Sequence, residues 1–162
     1  MTRIYAVTLT VLLAVCASAV GARAEFTTQA YVGWDAPGND VESFLSGDQA
    51  NCAQICLERD YCLGAVFNVV TGRCWVKHST PAFSQAADGV LLLKMLAGRD
   101  GIDYPGGDYR WYQTAHWQYC SRTCFLESQC VAFTYNKVTQ TCWLKNAIVD
   151  AAFHPDGIAG RK

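Results

Sequence analysis

The sequence predicts an α+β fold of two tandem small modules, each a disulfide-stapled antiparallel sheet with one helix. Three observations predict it. Cysteines stand at 52, 56, 62 and 74 and again at 120, 124, 130 and 142, one C-x3-C-x5-C-x11-C spacing shifted by 68 residues. Within each set the helical spacing of the first two cysteines gives way to alternation after the third. An apolar leader ahead of both sets directs the chain to an oxidising compartment, where such cysteines pair.

The leader comprises residues 1–24. Arg3 is its positive start, Ile4 to Val15 its apolar run, and Ala22-Arg23-Ala24 a small-x-small cleavage site. Cutting is expected after Ala24, with Ala17-Ser18-Ala19 as a second site. The run is shorter than the roughly 20 residues a membrane span needs, so none is expected after cleavage. Removing the leader takes away Cys16, Arg3 and Arg23. It leaves eight cysteines, an even number, and eleven Lys and Arg against fourteen Asp and Glu, a net charge of −3. That balance excludes nucleic acid as a partner, because phosphate binding needs clustered cations. The expected location is secreted or extracellular, and periplasmic in a bacterium. No Asn-x-Ser/Thr triplet occurs, so no N-linked glycan is expected.

The repeat extends beyond cysteine. Gly33-x-Asp35-x-Pro37-Gly38-x-Asp40 returns as Gly101-x-Asp103-x-Pro105-Gly106-x-Asp108, Asn68-x-Val70-Thr71 as Asn136-x-Val138-Thr139, and Cys74-Trp75-x-Lys77 as Cys142-Trp143-x-Lys145. Asp88-Gly89 returns as Asp156-Gly157 and Lys94 as Lys162. Aligned without a gap, 27–94 and 95–162 share 17 identities in 68, which sets the two modules at those bounds. Units this small bury a modest core and need staples.

Each module reads the same way in order. The Asp-x-Pro-Gly-x-Asp segment is turn chemistry: proline fixes φ and glycine accepts a positive φ. Val41 to Leu45 and Tyr109 to Gln113 are short strands. Ser46 and Thr114 are the expected N-caps of helices over 47–59 and 115–127. Cys52 and Cys56, four apart, share one helix face, and Trp117 shares the corresponding face of the second helix as a core residue. Ala65 to Asn68 and Phe133 to Asn136 are strands, Thr71-Gly72 and Thr139-Gln140 are hairpin turns, and Cys74 to Lys77 and Cys142 to Lys145 are return strands. Val90 to Leu93 and Ile158-Ala159 close the sheets. Bridging Cys52 to Cys56 along one helical turn is poor geometry, which leaves a nested and a crossed pairing open.

These residues carry a resemblance to the PAN/apple family: the Gly-x-Asp-x-Pro-Gly-x-Asp opening, the helical C-x3-C, the next cysteine, the Phe/Tyr-Asn strand and the Cys-Trp-x-Lys return. The resemblance covers nearly all of 27–162. It implies a twisted antiparallel sheet cradling one helix. It also implies the nested bridges Cys52–Cys74, Cys56–Cys62, Cys120–Cys142 and Cys124–Cys130, in the branch that lacks a third bridge tying the termini. It further implies modules that bind proteins or carbohydrates and are not catalytic.

The chain's own residues agree with a binding role. His78, His116 and His154 fall at unrelated places in the repeat, and no Gly-x-Ser-x-Gly or His-Glu-x-x-His occurs. No enzyme activity, cofactor or metal is expected; the repeated aspartates read as turn caps before they read as a calcium site. Six aromatics crowd the second module between Tyr104 and Tyr119, where the first has only Phe44. Tyr104 and Trp111 are the expected exposed rings of a binding surface. Lys77 and Lys145 are candidate contacts to an acidic ligand, or strand-edge lysines that discourage aggregation. Residues 27–94 carry a charge of −3 and 95–162 a charge of +1, so neither is a basic patch. The expected partner is a carbohydrate, with an extracellular protein as the alternative.

Overall fold

The computed structural model describes residues 25–162; the predicted leader and Cys16 lie outside the described residues. The first module contains β1 (Phe26–Asp35), β2 (Asp40–Leu45), α1 (Gln49–Glu58), β3 (Gly64–Asn68), β4 (Arg73–Lys77) and β5 (Ser84–Leu96). The second repeats that order as β6 (Arg99–Asp103), β7 (Asp108–Gln113), α2 (Trp117–Leu126), β8 (Ala132–Asn136), β9 (Thr141–Lys145) and β10 (Ala152–Arg161). Each module is one antiparallel five-stranded sheet, ordered β1-β5-β3-β4-β2 and β6-β10-β8-β9-β7.

The four bridges are the nested set: Cys52–Cys74, Cys56–Cys62, Cys120–Cys142 and Cys124–Cys130. All eight cysteines are fully buried where each helix meets its sheet. The longer bridge ties the helix to the hairpin, and the shorter one ties it to the loop that follows. Alternation then divides each sheet into two faces. Ala65, Phe67, Cys74 and Val76 point to the helix, whereas Val66, Trp75 and Lys77 point away from it.

The helices and their N-caps start two residues later than expected. Gly47 takes φ +80°, which breaks the helical path after Ser46, and Asp48 is the N-cap, its Oδ1 accepting the Asn51 N–H at 2.8 Å. In α2 the N-cap is His116, without a side-chain cap bond, rather than Thr114, whose carbonyl accepts the Tyr135 hydroxyl. Lys94 ends the first module by donating to the carbonyls of Cys56, Leu57 and Arg59, satisfying the open end of α1. Lys162 donates to Glu127 O beyond α2 in the same manner.

Two strands lie outside the sequence expectation, β1 and β6. Both are sheet edges, which bury one flank only and so carry a weak hydrophobic period. The repeated Asp-Gly is explained by them. A Cβ on Gly89 would stand 2.8 Å from Trp34 O, and one on Gly157 would stand 2.5 Å from Ile102 O, so only glycine lets these strands cross. At the tip of the β8–β9 hairpin Gln140 has φ +53°, where the first module has Gly72 at +67°. Gln140→Gly is therefore expected to stabilise the protein by about 0.5–1 kcal/mol, relief of the left-handed cost less the added chain entropy; the midpoint of urea unfolding checks it.

The modules are joined through a shared core. Leu96, at the end of β5, is fully buried among Cys120, Cys124 and Phe133, and Phe26 packs beside it with its ring edge-on to Phe125 at 5.6 Å. Arg122 of α2 crosses the join. Its guanidinium donates to Leu63 O at 2.7 Å, to Lys94 O and to Thr80 Oγ1 at 3.0 Å, and lies over the Phe125 ring. Burial pushes its pKa down to about 10, leaving it cationic at neutral pH.

Candidate functional site

The repeated motifs converge on one place in each module, the sheet face turned away from the helix. The Asp-x-Pro-Gly-x-Asp turn folds over the end of this face. The side chains of β4 or β9 that alternate outward form its floor. In the first module the result is a pocket of about 190 Å³ lined by Asp35, Asp40, Asn68, Trp75, Lys77 and Asp88 among others. In the second it is a pocket of about 160 Å³ lined by Asp103, Asp108, Asn136, Trp143, Lys145 and His154 among others.

Two of the repeated residues build the pocket rather than offer themselves to a ligand. Lys77 and Lys145 are each only 2% exposed. Lys77 Nζ donates to Asp40 Oδ1 at 2.5 Å and Gly38 O at 3.2 Å; Lys145 Nζ donates to Asp108 Oδ1 at 2.6 Å and Gly106 O at 3.3 Å. Neither lysine is a solvated strand-edge residue. Each neutralises the second aspartate of the turn and pins the turn to the sheet, since a buried ammonium needs a carboxylate and carbonyls around it. Asp40 and Asp108 are thus ion-paired, not turn caps.

Asn68 and Asn136 cap their hairpins. Asn68 Oδ1 accepts from Val70 N and Thr71 N, and Asn136 Oδ1 from Val138 N and Thr139 N. Their amide nitrogens differ. Asn68 Nδ2 donates to Asp88 Oδ2 at 2.5 Å, whereas Asn136 Nδ2 has no protein acceptor among the described residues.

The expected rings part company. Tyr104 is 6% exposed, a correction to its expected exposure. The Pro105-Gly106 turn folds it onto the sheet, where the small residues Ala132 and Ala159 leave room for a ring. Its backbone N–H donates to Thr134 Oγ1 at 3.2 Å. Trp111 is 66% exposed, as expected. It pairs directly with Trp143 across β7 and β9, and Trp143 with Thr134 across β8. Directly opposed residues share a sheet face, so Trp111 extends the pocket wall outward. Trp117 is a core residue, stacked on Phe133 at 6.3 Å.

Sequence reasoning noted the repeated Trp75, Trp143, Asn68 and Asn136 but not their convergence. The signal was their parity: each is an odd number of places from a buried cysteine or aromatic on its own strand. It named His154 but gave it no place in a site; its Nδ1 accepts the Asp156 N–H at 3.2 Å, which leaves Nε2–H as the donor. It also missed a cleft at the join. Two adjoining hollows of about 300 and 270 Å³ share Tyr31 and Tyr119; one is lined by Gln29, His116 and Gln118, the other by Trp34, Phe83 and leucines. That cleft arises from packing between copies, which no repeat reveals.

The chain is similar to known proteins in matching ways. The PAN domain matches residues 26–92 and, a second time, 102–145. A G-type lectin S-receptor-like serine/threonine-protein kinase of Oryza sativa subsp. indica is 40% identical over 45 residues, and that of subsp. japonica 38%. The stretch is 28% of this chain and spans 6% of those kinases' length. The two N-terminal apple domains of Toxoplasma gondii microneme protein 4 superpose with a TM-score of 0.44 at 20% identity, covering 85% of this chain and 86% of that one. Modules of this kind bind proteins or carbohydrates and are generally not enzymes. With its two matches in tandem and its nested bridges, the chain belongs to the PAN/apple domain family, as two four-cysteine modules.

Proposed function

We propose that this is a secreted, non-enzymatic recognition protein that binds carbohydrate on the outer face of its second module. One observation carries the reading: exposed Trp111 lies beside Trp143 at the mouth of a pocket that holds Asp103, Asn136 and His154. A sugar ring has an apolar C–H face and a rim of hydroxyls. An indole accepts the face, and fixed amide, imidazole and carboxylate groups accept the rim. Four disulfides and the predicted leader support secretion. A glycan array tests the proposal. Binding is expected, and Trp111→Ala is expected to weaken it roughly tenfold, the usual effect of truncating an aromatic anchor. A silent array together with tight binding to a single protein would replace this reading.

The cleft at the join favours a second reading, adhesion to an extracellular protein. Its lining carries no charged side chain, and Trp34, Phe83 and Tyr119 remain 39, 50 and 52% exposed. Half-buried rings of this kind anchor protein partners. Loss of a protein partner with Trp34→Ala, but not with Trp111→Ala, would establish it.

A further inference from the structure

We infer that the two outer-face pockets have diverged, so that one chain offers one glycan site, in the second module, selective for the uncharged end of a glycan. This rests on the carbohydrate reading above.

The pockets share a frame and differ in what they present. In the first, one of the two Asn68 Nδ2 hydrogens is taken by Asp88, and the Lys77 ammonium is held by Asp40 and Gly38 O. Asp35 and Asp88 have no cationic partner among the described residues. The remaining wall includes Val66 and Ala86, and Ser43 stands opposite Trp75. Carboxylates accept hydrogen bonds only, and aliphatic walls make none. A sugar hydroxyl is both donor and acceptor, so a pocket rich in acceptors and short of free donors leaves part of its bonding unmet, which is costly once water is excluded.

In the second pocket two of these positions have changed towards mixed hydrogen bonding, and a third has gained an indole. Thr134 replaces Val66, His154 replaces Ala86, and Trp111 replaces Ser43. Asn136 keeps its amide N–H free, and Asp156 does not line the cavity. Donors from Asn136 and His154 therefore share the cavity lining with the Asp103 carboxylate acceptor. The cavity has room for a single ring, and the flat face of Trp111 lies outside it for the next. Asp103 has no cationic partner among the described residues, while Asp108 is balanced by Lys145. The residual charge repels a carboxylate, so sialic and uronic acid ends are disfavoured.

Titration of the protein with cellobiose, N-acetyllactosamine, diacetylchitobiose and mannobiose tests this, with sialyllactose as the anionic comparison. At least one neutral disaccharide is expected to bind at one site per chain, moving the indole N–H NMR signals of Trp111 and Trp143 and leaving that of Trp75 in place. Sialyllactose is expected to bind roughly tenfold more weakly than its neutral counterpart. Trp143→Ala is expected to weaken binding at least about tenfold, while Trp75→Ala stays within about twofold. A graft of Ser43→Trp, Val66→Thr, Ala86→His and Asp88→Ser is expected to raise the count to two sites. Two equal sites in the natural protein, or matched losses from Trp75→Ala and Trp143→Ala, would overturn the inference and leave the carbohydrate reading standing. Silence from every disaccharide would remove both.

Discussion

Replacing Cys120 and Cys142 together by alanine is expected to lower the stability of the protein by about 3 kcal/mol. The bridge spans a sequence separation of 22 residues, and closing a loop of that length in the unfolded chain is worth about 3 kcal/mol on the chain-entropy account. The shorter Cys124–Cys130 bridge, with a separation of 6, is worth about 2 kcal/mol on the same account. The order of the two effects is thus a test in itself. Alanine is the right replacement because both sulfurs are fully buried, where a serine hydroxyl would need a partner. Phe26 and Leu96 of the first module sit in the same core, so the loss is expected to reach both modules in a single urea transition. A midpoint shifted by less than the shorter bridge's variant, or an unfolding limited to half of the signal, would refute this account.

Removing the side chain of Arg122 is expected to have an effect of similar size by a different route. Arg122→Ala removes the guanidinium donor from the Lys94 carbonyl and the Thr80 hydroxyl, and one of the two donors from the Leu63 carbonyl, which keeps the Lys94 N–H. Each unmet buried group costs about 1–3 kcal/mol, reduced where water can enter, so about 3 kcal/mol in all is expected. Arg122→Lys is expected to restore only part of that, because an ammonium cannot reproduce the planar fork. The internal control is Gln54, the same position in α1. It is exposed and bonds only to Glu58 on its own helix, so Gln54→Ala is expected to stay within about 0.5 kcal/mol. Calorimetry distinguishes the outcomes. The Arg122 variant is expected to broaden or split the thermal transition as the modules uncouple, and an unchanged sharp transition would show that the bond network does not join them.

Much of the fold was legible because its determinants are covalent or local. The cysteine frame marks where helix and hairpin meet, and the third cysteine marks the change of period. The turns announced themselves through Pro37-Gly38 and Pro105-Gly106, with Gly38 at φ +77° and Gly106 at +78°. What escaped was set by neighbours distant in sequence. The edge strands β1 and β6 depend on the sheet that receives them. Ser46 yielded the cap to Asp48 because Gly47 bends the chain between them. Tyr104 looked like a surface ring until the small residues beneath it were known. Lys77 and Lys145 kept their strand positions as read, but their burial follows from a turn folded over them. Trp111, expected to be exposed with Tyr104, is the one of the two that is. The pocket it borders needed the register of three strands.

Phe26 and Leu96 have a consequence for how this chain can evolve. The two copies began as interchangeable, yet the first now lends its terminal strands to the interior of the second. Excising either one would strip a greasy plug from its socket and leave a sticky stump. The duplication is in that sense irreversible, and recombination must shuffle the doublet as a single cassette.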